Sequence, residues 1–183
     1  MCNFRRKEGI VVQLLYNILV HLLLIVLIVS SIPKIINLKD FLNLVKEYDF
    51  LPLPILKLYG TILPFTELAG AFLLPIKGML VYASILIFTV FLSITIGVVY
   101  MLKTNKTITC GCYGKFLDSD VSQFTLIKLL FLSSISLMLA FFHNQIQVEI
   151  ELFSLLAGLF LATILISTEK IWNNHKDVIK NLS

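Results

Sequence analysis

Two cysteines separated by one glycine, Cys110 and Cys112, lie in the polar segment KTITCGCYGKF, between two long apolar runs. Two α-carbons at this spacing can lie at most about 7 Å apart, and a disulfide prefers about 5.5 to 6 Å with a fixed dihedral angle. A disulfide between them is therefore within reach only through a tight turn, and Gly111 and Gly114 supply the backbone freedom for one. A strained, exposed disulfide is more oxidising than a structural one. The spacing favours a thiol pair that exchanges its disulfide with another molecule.

Two other interpretations of these cysteines stay open. They could be idle loop residues, or half-buried side chains that act as small apolar groups. Thiolates also bind zinc or copper, but a tetrahedral zinc site needs about four ligands, and this segment offers two cysteines and no histidine. The three histidines, His21, His143 and His175, are scattered along the chain. We therefore favour the redox pair and predict no metal site.

A carboxylate inside an apolar stretch is the second candidate for chemistry. Glu67 lies in LPFTELAGAFLL, about 12 Å below the membrane surface if the helix starts near Tyr59 and rises 1.5 Å per residue. Such a group is costly to insert and marks a functional site by default. Lys34, near the end of the first apolar run, enters from the same side, so an ion pair or a water-bridged contact is expected. Alternatively, Lys34 extends to the surface, and Glu67 makes a packing hydrogen bond to a neighbouring helix.

The composition indicates which environment surrounds these residues. The chain has 183 residues, of which 58% are hydrophobic and 14% charged, with a mean hydropathy of +0.93. Soluble domains are about half apolar and about a quarter charged, so the solvent is predicted to be a lipid bilayer. The net charge of +4 comes from basic residues at the ends of apolar segments, which suits membrane orientation. Nucleic acid is therefore excluded as a partner.

Apolar stretches long enough to cross a bilayer predict an all-α membrane protein with five spans. The predicted spans are residues 12–36, 59–76, 79–102, 124–142 and 150–171. The first run is too long for a signal peptide and lacks a small-residue cleavage site, so we expect it to be retained. Between the first two spans, Phe41, Leu42, Val45 and Tyr48 share one face, which predicts a short amphipathic helix on the membrane surface.

The basic residues do not decide on which side of the membrane the cysteines lie. Most lysines outside the spans fall on the side of the cysteine segment, which by the positive-inside rule is the cytoplasm. The compact cluster Arg5, Arg6 and Lys7 before the first span favours the opposite orientation.

Several motifs together resemble the MauE family of methylamine-utilisation proteins, within the broader DoxX-like group of redox-associated membrane proteins. They are VSSIPK at the end of the first span, FLNLVKEYDFLPLP after it, the P-x-x-E of LPFTELAGAFLL, and CGCYG after the third span. The resemblance covers about residues 14–142. Members often have CGCFG, so Tyr113 stands where phenylalanine is common, and the fifth span lies beyond the usual core.

The resemblance implies a four-helix membrane core in residues 1–142. The apolar stretch beyond this core predicts a fifth helix, followed by a polar tail, in residues 143–183. It also implies a thiol–disulfide redox or maturation factor, in which Cys110 and Cys112 form the redox pair. The expected partner is a thioredoxin-like protein or a cysteine-containing client. The namesake of the family is associated with maturation of the disulfide-rich subunit of methylamine dehydrogenase.

In this hypothesis Glu67 and Lys34 shape a pocket beneath the cysteine segment, and a quinone could accept the electrons. The alternative is a non-catalytic membrane assembly factor or small-solute carrier that uses Glu67 and Lys34, with incidental cysteines. A metal-handling protein is a third hypothesis.

Overall fold

The computed structural model describes residues 2–47, 52–76, 78–104, 123–142 and 151–182. These residues form helices and no strand, and the helices are α1 (Cys2–Ile36), α2 (Leu38–Glu47), α3 (Leu53–Leu73), α4 (Leu80–Lys103), α5 (Gln123–Phe142) and α6 (Leu152–Leu182). The prediction of an all-α membrane protein is confirmed.

Four of the described helical segments are long and apolar enough to cross a bilayer: Val11–Ile36, Leu80–Lys103, Gln123–Phe142 and Leu152–Trp172. Each has 20 residues or more, which spans the hydrocarbon core of about 30 Å. The chain is thus a multi-pass membrane protein, and four of the five predicted spans are helices that could cross the bilayer.

The remaining predicted span corresponds to α3, which is not among these four. Its 21 residues are long enough to cross. However, Lys57 and Glu67 make it less apolar than the four segments above, and Pro64 interrupts its backbone hydrogen bonding. The crossing of α3 therefore stays a prediction.

Large apolar side chains are exposed along the outer faces of the long helices, among them Phe65, Phe72, Tyr82, Ile127 and Phe141. Such a surface would aggregate in water. In a bilayer it is the surface that contacts lipid, in agreement with the composition.

The long helices pack in the neighbour order α6, α1, α3, α4 and α5, and α5 contacts α1 again. The α3–α4 turn contains Gly78 at φ 83°, a left-handed conformation that glycine adopts readily. The fully buried apolar side chains include Leu22, Leu23, Leu27, Ile87, Leu132 and Leu139.

A hydrogen bond of Tyr16 shows the relative direction of α1 and α5. The Tyr16 hydroxyl donates this bond, of 3.1 Å, to the carbonyl of Leu139. The end of α5 thus lies beside the first half of the α1 span. Consequently α5 begins at the end of the bundle where α1 ends. The helix α4 also ends there, and the chain between α4 and α5 carries the two cysteines. We call this end of the bundle the cysteine end.

The predicted amphipathic helix is present as α2, and its apolar face packs against α3. Its position on the membrane surface stays a prediction, and Tyr48 lies outside the described residues. Phe41 and Val45 are buried and cluster with Leu56 and Leu63. Contact is close at Gly60, where a Cβ would lie 2.9 Å from the side chain of Leu42. Glycine at this position lets α2 approach the N-terminal half of α3.

Candidate functional site

Lys34 and Glu67 form a direct, buried ion pair. The Lys34 Nζ lies 2.8 Å from Oε1 and 2.9 Å from Oε2 of Glu67. Their side chains are only 3% and 1% exposed. The contact expected from the sequence is therefore present without a bridging water, and its role in function stays a prediction.

The pair forms because α1 and α3 run past each other with their ends offset. Lys34 is in the last turn of α1, whereas Glu67 follows the start of α3 by about four turns. The preceding part of α3, at Leu56 and Gly60, is the part on which α2 packs. The ion pair thus lies inside the bundle, close to the contact between α2 and α3.

Ser30 and Phe41 complete the surroundings of Lys34. Nζ donates a hydrogen bond of 2.9 Å to the Ser30 hydroxyl, and that hydroxyl lies 3.4 Å from Oε2 of Glu67. The ring centroid of Phe41, on α2, lies 5.6 Å from Nζ, within the range of a cation–π interaction. The three ammonium protons of Lys34 therefore have three oxygen acceptors, and a ligand would have to displace one of them.

A second buried ion pair joins Lys128 on α5 to Glu169 on α6, with side chains 5% and 2% exposed. Nζ of Lys128 contacts Oε2 of Glu169. Thr125 donates a hydrogen bond of 3.2 Å to Oε1 of the same carboxylate. Lys128 and Glu169 lie within the predicted spans 124–142 and 150–171, and the sequence analysis gave neither of them a role. The signal was present, because each is a charged residue inside a predicted apolar stretch.

The two clusters have the same composition. Each contains a lysine, a hydroxyl residue about one turn earlier on the same helix, and a glutamate on the neighbouring helix, with the hydroxyl near the carboxylate. Lys34 is in the last turn of α1, and Lys128 lies in the first two turns of α5. Both clusters are therefore at the cysteine end.

Cys110, Gly111, Cys112 and Gly114 lie outside the described residues, so their assignment as the redox pair and its turn stays a prediction. The segment that carries them leaves α4 after Lys103 and enters α5 at Gln123. What the structure establishes is that both attachment points are at the end of the bundle where the two ion pairs lie.

The side chain of His21 is buried at the contact between α1 and α6. Its Nδ1 lies 2.7 Å from the carbonyl oxygen of Asn17, and since a carbonyl only accepts, Nδ1 carries the proton. The Ser154 hydroxyl of α6 lies 3.4 Å away. At Gly158 a Cβ would lie 2.9 Å from Cβ of His21 and 3.0 Å from the backbone N of Leu22. This histidine therefore lies where a glycine lets α1 and α6 approach closely.

Comparison with known proteins identifies the chain at the level of its family. The family model described as methylamine utilisation protein MauE matches residues 12–142, which comprise α2 to α5 and most of α1. A methylamine utilization protein MauE from Methylophilus methylotrophus is 25% identical over 150 residues, covering 79% of each chain. No solved structure matches. The resemblance seen in the sequence motifs is thus confirmed, and the chain belongs to the MauE family.

Proposed function

We propose that this MauE-type membrane protein is a thiol–disulfide redox or maturation factor in which Cys110 and Cys112 exchange a disulfide with a thioredoxin-like protein or a cysteine-containing client. The observation that supports this most is the place of the cysteine segment. It joins α4 to α5 at the end of the bundle that holds both buried ion pairs.

In the oxidising direction, a client thiolate attacks one sulfur of the Cys110–Cys112 disulfide, and the other cysteine leaves as a thiolate. A second client thiolate then attacks the mixed disulfide. The client gains a disulfide, and Cys110 and Cys112 become a dithiol, having received two electrons and two protons. A thioredoxin-like protein in its disulfide form restores the pair by the same exchange and becomes a dithiol itself.

In this proposal Lys34 and Glu67 hold α1 and α3 in register beneath the cysteine segment. Their buried contact joins two helices that lipid alone would not drive together, because lipid tails are as apolar as leucine. The methylamine utilisation named in the relative's description makes a methylamine dehydrogenase-type subunit the first client to test.

The experiment is to replace Cys112 by alanine in the full chain and search for a protein bound covalently through Cys110. We expect a mixed disulfide that disappears on reduction and is absent when Cys110 is replaced as well. Cys2→Ala is the matched control and should leave the adduct unchanged. If both thiols stay reduced under all growth conditions, and the double variant supports client maturation normally, the proposal is wrong.

The buried Lys34–Glu67 pair is the observation that favours a second candidate function, a non-catalytic assembly factor or small-solute carrier. The two functions differ in which residues matter. Under the redox proposal, replacing both cysteines abolishes client maturation. Under the second candidate, Glu67→Gln abolishes function while the variant without Cys110 and Cys112 retains it.

A further inference from the structure

A groove of about 310 Å³ runs between the N-terminal half of α3 and the middle of α4, and a cavity of this size can hold a small molecule. Most of its walls are apolar, and the lining residues Ile55, Leu58 and Ile62 are exposed on the outer face of α3. The groove therefore opens toward the surroundings of the bundle. Four hydroxyl-bearing side chains also line it: Tyr59, Thr66, Thr89 and Ser93.

The depth of the groove decides from where a ligand reaches it. Thr89 and Ser93 are both about 13 Å or more from either end of α4, and α4 is long and apolar enough to cross a bilayer. This depth lies in the hydrocarbon core, where no water is present to bind polar groups. A molecule that occupies the groove must therefore be dissolved in the lipid.

The direction of the hydrogen bond between Tyr59 and Ser93 follows from a third group, the carbonyl of Val90. The Ser93 Oγ lies 2.7 Å from this carbonyl oxygen and 2.9 Å from the Tyr59 hydroxyl. A serine hydroxyl has one proton and two lone pairs, whereas a carbonyl only accepts. Both contacts are hydrogen bonds only if Ser93 donates to Val90 and Tyr59 donates to Ser93. The two hydroxyl oxygens then have lone pairs to offer a ligand.

The two threonines of the groove also use their protons within the protein. Thr66 donates to the carbonyl of Leu63 and Thr89 to that of Leu86, each at 2.7 Å. For the residues that the structure describes, all four hydroxyls of the groove are thus acceptors toward a ligand. A ligand with only acceptors of its own, such as a quinone, gains a hydrogen bond only by breaking one of these. A ligand hydroxyl can donate without that loss.

The spacing of the acceptors indicates which kind of donor fits. Thr89 and Ser93 are four residues apart, about 6 Å along the axis of α4. This separation is comparable to that of the two oxygens in a para-benzenediol. The acyl chain of a phospholipid has no hydroxyl to donate, and a lipid with a single hydroxyl would use one of the two acceptors only.

We propose that the groove binds a lipid-soluble para-benzenediol, the reduced form of a membrane quinone, whose two hydroxyls donate to Thr89 and to the Tyr59–Ser93 pair. The apolar tail of such a molecule lies along the exposed apolar face of α3. This binding does not depend on Cys110 and Cys112.

The experiment measures equilibrium binding of a radiolabelled, decyl-substituted para-benzenediol to the full chain in lipid nanodiscs without oxygen, with empty nanodiscs as the blank. Two matched probes of the same shape are its dimethyl ether and its quinone, which have no hydroxyl to donate. We expect the diol to bind about tenfold more tightly than either probe, since two hydrogen bonds are lost. Equal affinities for the diol and the ether, or the absence of saturable binding, would show the proposal to be wrong.

Variants of α4 locate the binding site. Ser93→Ala removes an acceptor and releases the Tyr59 proton, so it should weaken binding of the diol and strengthen binding of the quinone. Thr89→Val, at an exposed position, should weaken binding of the diol several-fold. The matched control is Thr163→Val, because this exposed threonine of α6 makes the same kind of hydrogen bond, at 2.7 Å, to the carbonyl of Phe160.

The control should leave the affinity for the diol unchanged, and so should the variant in which Cys110 and Cys112 are both replaced by alanine. A failure of the redox proposal is thereby distinguished from a failure of this one. If Thr89→Val and Ser93→Ala bind the diol as tightly as the original chain, the groove is not the binding site and the proposal is wrong. If Ser93→Ala does not accumulate, Thr89→Val and the comparison of the three probes decide the outcome.

Discussion

The ammonium of Lys34 bridges both carboxylate oxygens of Glu67, at 2.8 and 2.9 Å, across the contact between α1 and α3. One charge is contributed by the last turn of one helix and the other by the interior of its neighbour. Neither side chain could be buried alone, because an unpaired charge away from water is strongly unfavourable.

Removing one member of this pair should destabilise the protein more than removing both. We expect Lys34→Met or Glu67→Gln to lower the free energy of unfolding by about 3 kcal/mol, since the remaining charge stays buried. The double variant should lose less than either single variant, because no charge is left buried without its partner. Unfolding in mixed micelles measures these values, with Lys39→Met on the exposed face of α2 as a control. Additive losses would show that the two groups do not interact.

Replacing glycine by alanine should have opposite effects on stability at Gly158, where α6 approaches α1, and at Gly97 on α4. Gly158→Ala places a methyl group 2.9 Å from Cβ of His21, so the two helices must separate and the free energy of unfolding falls. Gly97→Ala meets nothing within 4 Å and should stabilise α4 by up to about 1 kcal/mol through its higher helix propensity. Equal effects at the two sites would contradict the described packing.

The anchoring of α2 depends mainly on Phe41. Phe41→Ala removes a buried ring and its contact with the Lys34 ammonium, and such truncations cost about 3 to 5 kcal/mol. We expect the backbone amides of α2 to exchange with solvent faster, while those of α4 and α5 are unaffected. Asn43→Ala, at an exposed position of the same helix, is the control. Unchanged exchange in α2 would mean that other contacts hold the helix.

The crossing of α3 can be tested by accessibility. In a chain without its native cysteines, single cysteines are introduced at Asn43, on α2, and at Met79, after α3. If α3 crosses the bilayer, a membrane-impermeant thiol reagent modifies these two positions from opposite sides. Modification of both positions from the same side would show that α3 enters the bilayer and returns to the side from which it came. A third variant, Thr104→Cys at the end of α4, identifies the side of the membrane that carries the cysteine segment.

Much of this arrangement could be predicted because the bilayer restricts what a sequence can do. Depth along a helix follows from the position of a residue in an apolar stretch, so Lys34 and Glu67 could be placed at similar depths and expected to meet. The period of α2 identified its apolar face. Its docking on α3 was not predicted, since periodicity identifies the buried face of a helix and not the surface that covers it.

The Lys128–Glu169 pair was missed for a related reason. Glu169 is followed by Lys170 and a polar tail, and this context resembles a solvated helix end. Its burial depends on α6 lying beside α1 and touching α5 at one end, a neighbour relationship that no local pattern encodes. The roles of Cys110 and Cys112 remain predictions from the motif, its spacing and the family.

The order of Lys34 before Glu67, and of Lys128 before Glu169, has a consequence for biogenesis. During synthesis we expect each lysine to reach the membrane before its glutamate does. Lys34 is within a turn of the end of α1 and Lys128 is near the start of α5, so each long side chain can stay among the lipid headgroups in the meantime. We therefore expect each lysine to move inward only when the helix that carries its glutamate arrives, so that formation of each ion pair accompanies the association of the two helices.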